Sequence, residues 1–335
     1  MIFNSGAWRD TNVDPRFNVY SKDFEMYHDY ENVSQDDLLN QFRTENWGWL
    51  DERQKVSVIQ ELEYRNAEQQ GRTPAQVIAL KGDKLYGSYS NYDDGIPVKI
   101  KGRTSDVGYT KDGGTIRINV NDFSSYDTLD TYIHESNHAY QGYCIANGEN
   151  IYDEDVRILM QAESARDENG NLYNYETRDV LYDMQCNEID SNNVAAEYLL
   201  GQRERFEDDP VYHKYMEDRQ EHFQKVNAWL ATHRDQRFTM QMNQTYNAYV
   251  RGDITEAEYQ QVNQSICNSQ HYDAAECKSF QTQAHITAFN RGYEASSYSA
   301  QSTAAAYESP QHETAAEPVR SNDNDYSMEE DNKKK

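Results

Sequence analysis

The chain has 335 residues, a formal charge of −26 and only 37% apolar residues, with a mean hydropathy of −1.04. So strong an acidic excess repels phosphate backbones and anionic lipid, which argues against nucleic acid or a membrane surface as direct partners. No run of eighteen apolar residues occurs, and the first ten residues lack the basic-then-apolar pattern of a secretory signal. The 27 tyrosines are expected to fill many interior positions, burying ring area while keeping a polar tip satisfied. Four cysteines at 144, 186, 267 and 277 show neither CxxC spacing nor scaffold density, which fits a reducing, cytoplasmic compartment; export by a signal-less machine leaves the same trace.

In chain order, residues 1 to 33 read as an irregular arm without period. Ser34 followed by Gln35-Asp36-Asp37 and by Leu38, Leu39 and Phe42 predicts a capped first helix with acids at its positive end. A second is expected from about Asp51 to Gln69, with Val56, Ile59 and Leu62 at helical spacing and Gly71 as its stop. Thr73-Pro74, a cap residue before a first-turn proline, predicts a short third helix. From Lys84 to Val120 the period shortens, and turns at Asp-Asp-Gly and Lys-Asp-Gly-Gly separate apolar runs, which predicts a small antiparallel sheet. Ile116, Ile118 and Val120 are expected on one face, with Arg117 and Asn119 on the other.

Residues 131 to 143 contain His134-Glu135-x-x-His138, the HExxH pattern. On a helix, residues four apart lie one turn above the other, so His134 and His138 present two imidazoles to one Zn²⁺. Glu135 then lies where it can take a proton from the water that the metal activates and hand it to a leaving amine. Two histidines leave a zinc site one protein ligand short. Glu188 is the candidate, on a helix expected from residue 187 to about Arg205, with Glu176 and Glu197 as fallbacks. Asn192, one turn beyond Glu188, is expected to accept from the outer nitrogen of a ligating histidine.

These two stretches resemble those of the gluzincin metallopeptidases, whose second metal helix reads NExxSD where this chain has Asn187-Glu188-x-x-Ser191-Asn192. They look still more like the ImmA/IrrE-type metallopeptidases, through Glu188, Asn192, Ala195, Leu199 and Leu200, with Ser191 and Val194 departing in type. The resemblance covers residues 85 to 200. It implies an α+β zincin-like domain, a zinc cofactor, a protein or peptide substrate, and the strand before the metal helix as the edge against which that substrate pairs. The metzincin extension HExxHxxGxxH is absent, since Gln141 and Cys144 stand at its glycine and histidine. About fifty residues separate His138 from Glu188, so an insertion is expected from 147 to 175, with a turn or short hairpin at 167 to 171.

Asp209-Pro210 opens a long helix to about Leu230, followed by helical runs at 235–250, 255–266 and 271–290; Thr255-x-x-Glu258 reads as a capping box. His213, His222, His233 and His271 fall here, and spacing selects none of them as an oxyanion stabiliser. Past residue 292 the composition turns to Ser, Ala, Glu and Asp, which predicts a disordered tail. The domain reading is therefore 1–83 arm and helices, 84–205 metallopeptidase core, 206–292 helical extension and 293–335 tail. The functional expectation is a zinc-dependent peptidase of open oligomeric state; the alternative is an acidic interaction protein that keeps the fold without catalysis.

Overall fold

A computed structural model describes residues 29–80, 86–90, 99–100, 103–104, 113–147, 151–167, 172–176, 179–269 and 274–290. The expectations for the first 28 residues, the Asp-Asp-Gly turn and the tail lie outside these.

Three helices open the described chain: α1 (Gln35–Asn40), α2 (Thr44–Trp47) and α3 (Glu52–Gln70). Ser34 caps α1 by accepting from the Asp37 amide at 3.0 Å. Asp51 and Gln54 form a reciprocal capping box on α3, which ends at Gly71 with φ of 69°. The chain then extends into β1 (Gln76–Ala79), so the short helix expected from Thr73-Pro74 is a strand instead. The reason lies in its partners. β1 pairs parallel to β5 on one edge, and on α3 the Gln60 side chain accepts from the Val77 amide at 2.8 Å and donates to the Ala75 carbonyl at 3.0 Å. A helix amide thus stands in for a missing strand and closes the edge.

Strands β2 (Gly87–Ser90), β3 (Lys99–Ile100), β4 (Arg103–Thr104) and β5 (Thr115–Ile118) follow. The main sheet runs β1-β5-β2, with β2 antiparallel to β5, while β3 and β4 pair separately. It is a mixed sheet, not the antiparallel one expected, and β5, the strand before the HExxH helix, is central. Both faces of β5 are covered: Arg117 and Asn119, alternating with Ile116 and Ile118, are buried too. Gly113, with φ of 80°, starts β5 where a Cβ would lie 2.3 Å from the Pro74 carbonyl oxygen, so only glycine lets β5 approach the start of β1.

Helix α4 (Ser125–Asn147) carries the HExxH residues, and α5 (Glu154–Glu163), α6 (Asp179–Tyr182), α7 (Cys186–Gly201) and α8 (Arg203–Phe206) follow. An isolated antiparallel bridge joins Arg166 and Leu172; most of the turn expected at 167 to 171 lies outside the described residues. Helix α9 (Pro210–Arg251) is continuous except for a non-helical His233, where sequence reading ends one helix and begins another. The last two are α10 (Glu256–Ser269), opened by the Thr255–Glu258 capping box, and α11 (Ala274–Asn290).

Among the described residues the apolar side chains gather into two large cores and a small one of Leu181, Met184, Val226 and Met240. The first joins α1, α3, the sheet, α4 and α7, and takes in Phe206, Tyr212 and Tyr215. The second gathers Ile158 and Leu159 of α5 with the distal half of α9, α10 and α11. Cys267 and Cys277 in that second core are paired as a disulfide; Cys144 and Cys186 are free. No described helix is long and apolar enough to cross a membrane.

Candidate metal centre

Helix α4 is aimed by its ends and by its buried face. Ser124 and Asp127 cap it reciprocally, the Ser124 amide donating to the Asp127 carboxylate at 3.2 Å and the Asp127 amide to Ser124 Oγ at 3.1 Å. Tyr126, Leu129 and Tyr132 are fully buried. Below them a buried network fixes rotation: the Arg72 guanidinium donates to Glu63 at 2.6 Å and to Ser136 Oγ at 2.8 Å, and Ser136 donates to Glu63 at 2.7 Å. Ser136, between the two motif histidines, is thus anchored to α3, which turns His134 and His138 toward α7.

Helix α7 is held by a carboxylate. Its N-cap, Gln185, makes no side-chain cap. Glu163 at the end of α5 instead accepts from the Cys186 and Asn187 amides at 2.8 and 3.1 Å. A polar clamp then fixes α7 against α4. Asp190 accepts from Asn137 at 2.7 Å, Gln141 at 2.8 Å and the Tyr152 hydroxyl at 2.9 Å.

Between the two helices three side chains converge. His134 Nε2 lies 3.0 Å from His138 Nε2, and the Glu188 carboxylate oxygens lie 3.2 Å from His134 Nε2 and 3.3 Å from His138 Nε2. One ligand atom from each falls within 4.8 Å of the others, close enough to hold one metal ion. Glu188 is fully buried and its Oε2 has no hydrogen-bond donor. A buried carboxylate oxygen without a donor, facing two imidazole nitrogens, fits a cation bound among them. Burial would raise the Glu188 carboxyl, but the two histidines hold it down at about 2. Burial would lower His138, but the Glu188 carboxylate raises it to about 9. Both shifts come from one coupling, that between the Glu188 carboxylate and the histidines beside it.

The outer nitrogen of His138 has partners that the sequence reading did not select. Gln141 Oε1 lies 2.9 Å and Ser191 Oγ 3.2 Å from His138 Nδ1. The Gln141 amide is oriented unambiguously, because its Nε2 donates to the Asn187 carbonyl, Asp190 and Ser191 at 2.9, 2.8 and 3.2 Å. Its oxygen must therefore accept from Nδ1–H, which leaves the Nε2 lone pair free for metal. Asn192, assigned this task from sequence, is engaged through its backbone instead: its carbonyl accepts from Arg219 at 2.6 Å. Arg219 also pairs with Asp130, one turn before His134, and so ties α4, α7 and α9 together. The signal for Gln141 was present, three residues after His138 on the same helical face.

Of the fallback ligands, Glu197 is exposed on α7, and Glu176 is fixed by backbone bonds to Gln185. Glu135 is buried, and burial raises its carboxyl against the opposing influence of His134 and His138. Its neighbour is β2, the outer strand of the sheet among the described residues: a Cβ on Gly87 would lie 2.6 Å from Thr131 Cγ2 and 3.5 Å from Glu135 Cγ, so β2 lies directly on the motif. From the insertion, the Tyr175 hydroxyl donates to Glu188 Oε1, and its ring meets that of Tyr182 edge-on at 5.7 Å. Neither tyrosine was singled out by sequence.

No protein-family model, curated protein or solved structure matches the chain.

Proposed function

We propose that this chain is a zinc-dependent metallopeptidase of zincin type, with His134, His138 and Glu188 as ligands and Glu135 as general base. The observation that carries this reading is the convergence of the two HExxH imidazoles on a buried carboxylate from a second helix, a three-ligand set of the kind that in catalytic zinc sites leaves the fourth position to water. When bound there, zinc supplies Lewis-acid polarisation of a carbonyl and lowers the pKa of water toward about 7. The chain's own residues do the rest. Gln141 fixes the His138 tautomer, Glu135 removes a proton from the attacking water and delivers it to the departing amine, and β2 offers a strand edge for the peptide.

The substrate is a protein or peptide, with neither nucleic acid nor membrane as partner.

Full-length protein purified without added metal is expected to hold about one zinc per chain, lost in His134→Ala and in His138→Ala. Glu135→Gln should keep zinc and fold while cutting peptide turnover by about a hundredfold or more. A Glu135→Gln protein as active as the parent would end the peptidase reading.

A further inference from the structure

The two oxygens of Glu188 are in different states. Oε1 accepts from the Tyr175 hydroxyl, whereas Oε2, 3.2 Å from His134 Nε2, is buried without a donor. Each oxygen of a carboxylate offers about two lone-pair directions, and a cation is held best by the one that spends none of them elsewhere. The phenol therefore leaves Oε2 as the free oxygen beside His134. Glu188 is fully buried, so bulk water does not solvate Oε1 in the phenol's stead.

Tyr175 belongs to neither metal helix. It stands on the short segment 172–176, where both flanking residues are fixed and its own hydroxyl reaches inward to Glu188. On one side Asn174, 7% exposed, donates through Nδ2 to the Ala162 carbonyl at 2.8 Å and to the Gln244 carbonyl at 2.6 Å. Its own carbonyl accepts from Gln244 Nε2 at 3.1 Å, and its Oδ1 from Asn247 Nδ2 at 3.1 Å. On the other side the Glu176 amide donates to Gln185 Oε1 at 2.8 Å, and Gln185 Nε2 donates back to the Glu176 carbonyl at 3.1 Å. Gln244 also donates to Gln185 Oε1 at 2.9 Å, which joins α9 to the residue that opens α7. A supporting group acts on a ligand only when its own place is locked by packing and hydrogen bonds. These bonds lock the segment, and the Tyr182 ring, edge-on at 5.7 Å, backs the phenol itself.

We propose that Tyr175 is a positioning residue of the metal centre: its phenol holds Glu188 so that the carboxylate meets the metal through Oε2 alone, and Asn174, clasped by Gln244 and Asn247 of α9, aims that phenol. The assignment rests on the metal ligation in the reading above, and it makes the helical extension a working part of the site. A neutral donor suits the task. Lysine or arginine at this place would neutralise the carboxylate and repel the cation, whereas a phenol orients the carboxylate and leaves its charge intact.

The test uses full-length protein stripped of metal and then loaded with Zn²⁺ or Co²⁺, in the parent, Tyr175→Phe, Asn174→Ala and the double variant. Chelator competition gives zinc affinity, visible absorption of the cobalt form gives its coordination, and urea unfolding verifies the fold. Tyr175→Phe keeps the ring and is expected to weaken zinc about tenfold to a hundredfold. Its cobalt d–d absorption should fall, because Glu188 is then free to offer both oxygens and the coordination number rises. Asn174→Ala should weaken zinc severalfold in the parent but by less than about twofold in the Tyr175→Phe background, since it acts through the phenol. Asn247→Ala, which removes one bond from Asn174, takes its place if Asn174→Ala does not fold. A Tyr175→Phe protein whose zinc affinity stays within about threefold of the parent overturns the proposal, as does an Asn174→Ala effect of equal size in both backgrounds. Parent protein that binds neither metal overturns the ligation itself, and the proposal with it. Zinc bound and weakened as expected, with no cleavage of a mixed peptide library, keeps this assignment and removes the peptidase reading.

Discussion

Replacing Gln141 with leucine tests whether the α4–α7 clamp, and not the three ligands alone, makes the metal centre. Gln141 is 3% exposed and links His138 Nδ1 to Asn187, Asp190 and Ser191 across the two helices. Leucine fits the volume but removes every one of these bonds. Asp190 keeps Asn137 and Tyr152 as donors, and His138 keeps Ser191, so the loss falls on two or three partly compensated groups. At about 1–3 kcal/mol for each buried group left short of a partner, the variant should lose about 2–4 kcal/mol of stability. Losing the outer partner of a ligating histidine should also weaken zinc binding about tenfold to a hundredfold. Urea unfolding gives the first quantity, and competition with a chromophoric chelator the second. A folded Gln141→Leu protein whose zinc affinity stays within about threefold of the parent would refute the clamp. Ser191→Ala, a smaller change, should weaken zinc less than Gln141→Leu does.

Two further outcomes can be checked by simpler means. Arg72→Met leaves the fully buried Glu63 carboxylate without its guanidinium and should cost about 3–5 kcal/mol in urea unfolding; adding Glu63→Gln should restore much of it, and a loss below about 1 kcal/mol for the single variant would contradict the network. The Cys267–Cys277 bond closes a short loop, ten residues apart in sequence, and is worth about 3 kcal/mol by loop entropy; non-reduced, denatured protein should show two titratable thiols, Cys144 and Cys186, and reduction should speed amide exchange in α10 and α11, whereas four thiols before reduction would show the bond does not form.

What the sequence revealed is what local spacing encodes. His134 and His138 four apart, the Thr255–Glu258 box and the interrupted pattern near residue 233 each depend on neighbours within one or two turns, and each has its counterpart in the structure. What it concealed depends on distant chain. Thr73-Pro74 is a fair helix start, yet Val77 and Ile78 find β5 some forty residues on and a glutamine of α3 on the other edge, and tertiary pairing overrides propensity. Arg117 and Asn119 alternate like solvent-facing residues, but the layer covering that face cannot be read from the strand itself. Gln141 counted in the sequence only as the absence of a metzincin glycine, because its three acceptors come from a helix about fifty residues away. Tyr175 lay inside an insertion with no motif around it.

Glu163 offers a test of how α7, and with it Glu188, is held. This carboxyl is fully buried, and burial raises it to about 7 although two backbone amides at the start of α7 favour its charged form. In the unfolded chain it titrates near the ordinary glutamate value of about 4.3. The folded state therefore binds more protons than the unfolded state between those values, so this group's contribution is fully present below about pH 4 and is lost as pH rises through about 7. Two to three pKa units correspond to about 3–4 kcal/mol. Glu135, Asp130, His138 and Glu188 are shifted as well, so the measurement is a difference between proteins. Glu163→Gln removes the titration while leaving an oxygen for one of the two amides. Its stability relative to the parent, measured by urea unfolding at fixed zinc, should rise by about 3 kcal/mol between pH 4.5 and pH 8. A difference that stays constant across that range would show that Glu163 keeps its charge when folded, and that the helix N-terminus, not burial, sets its proton affinity.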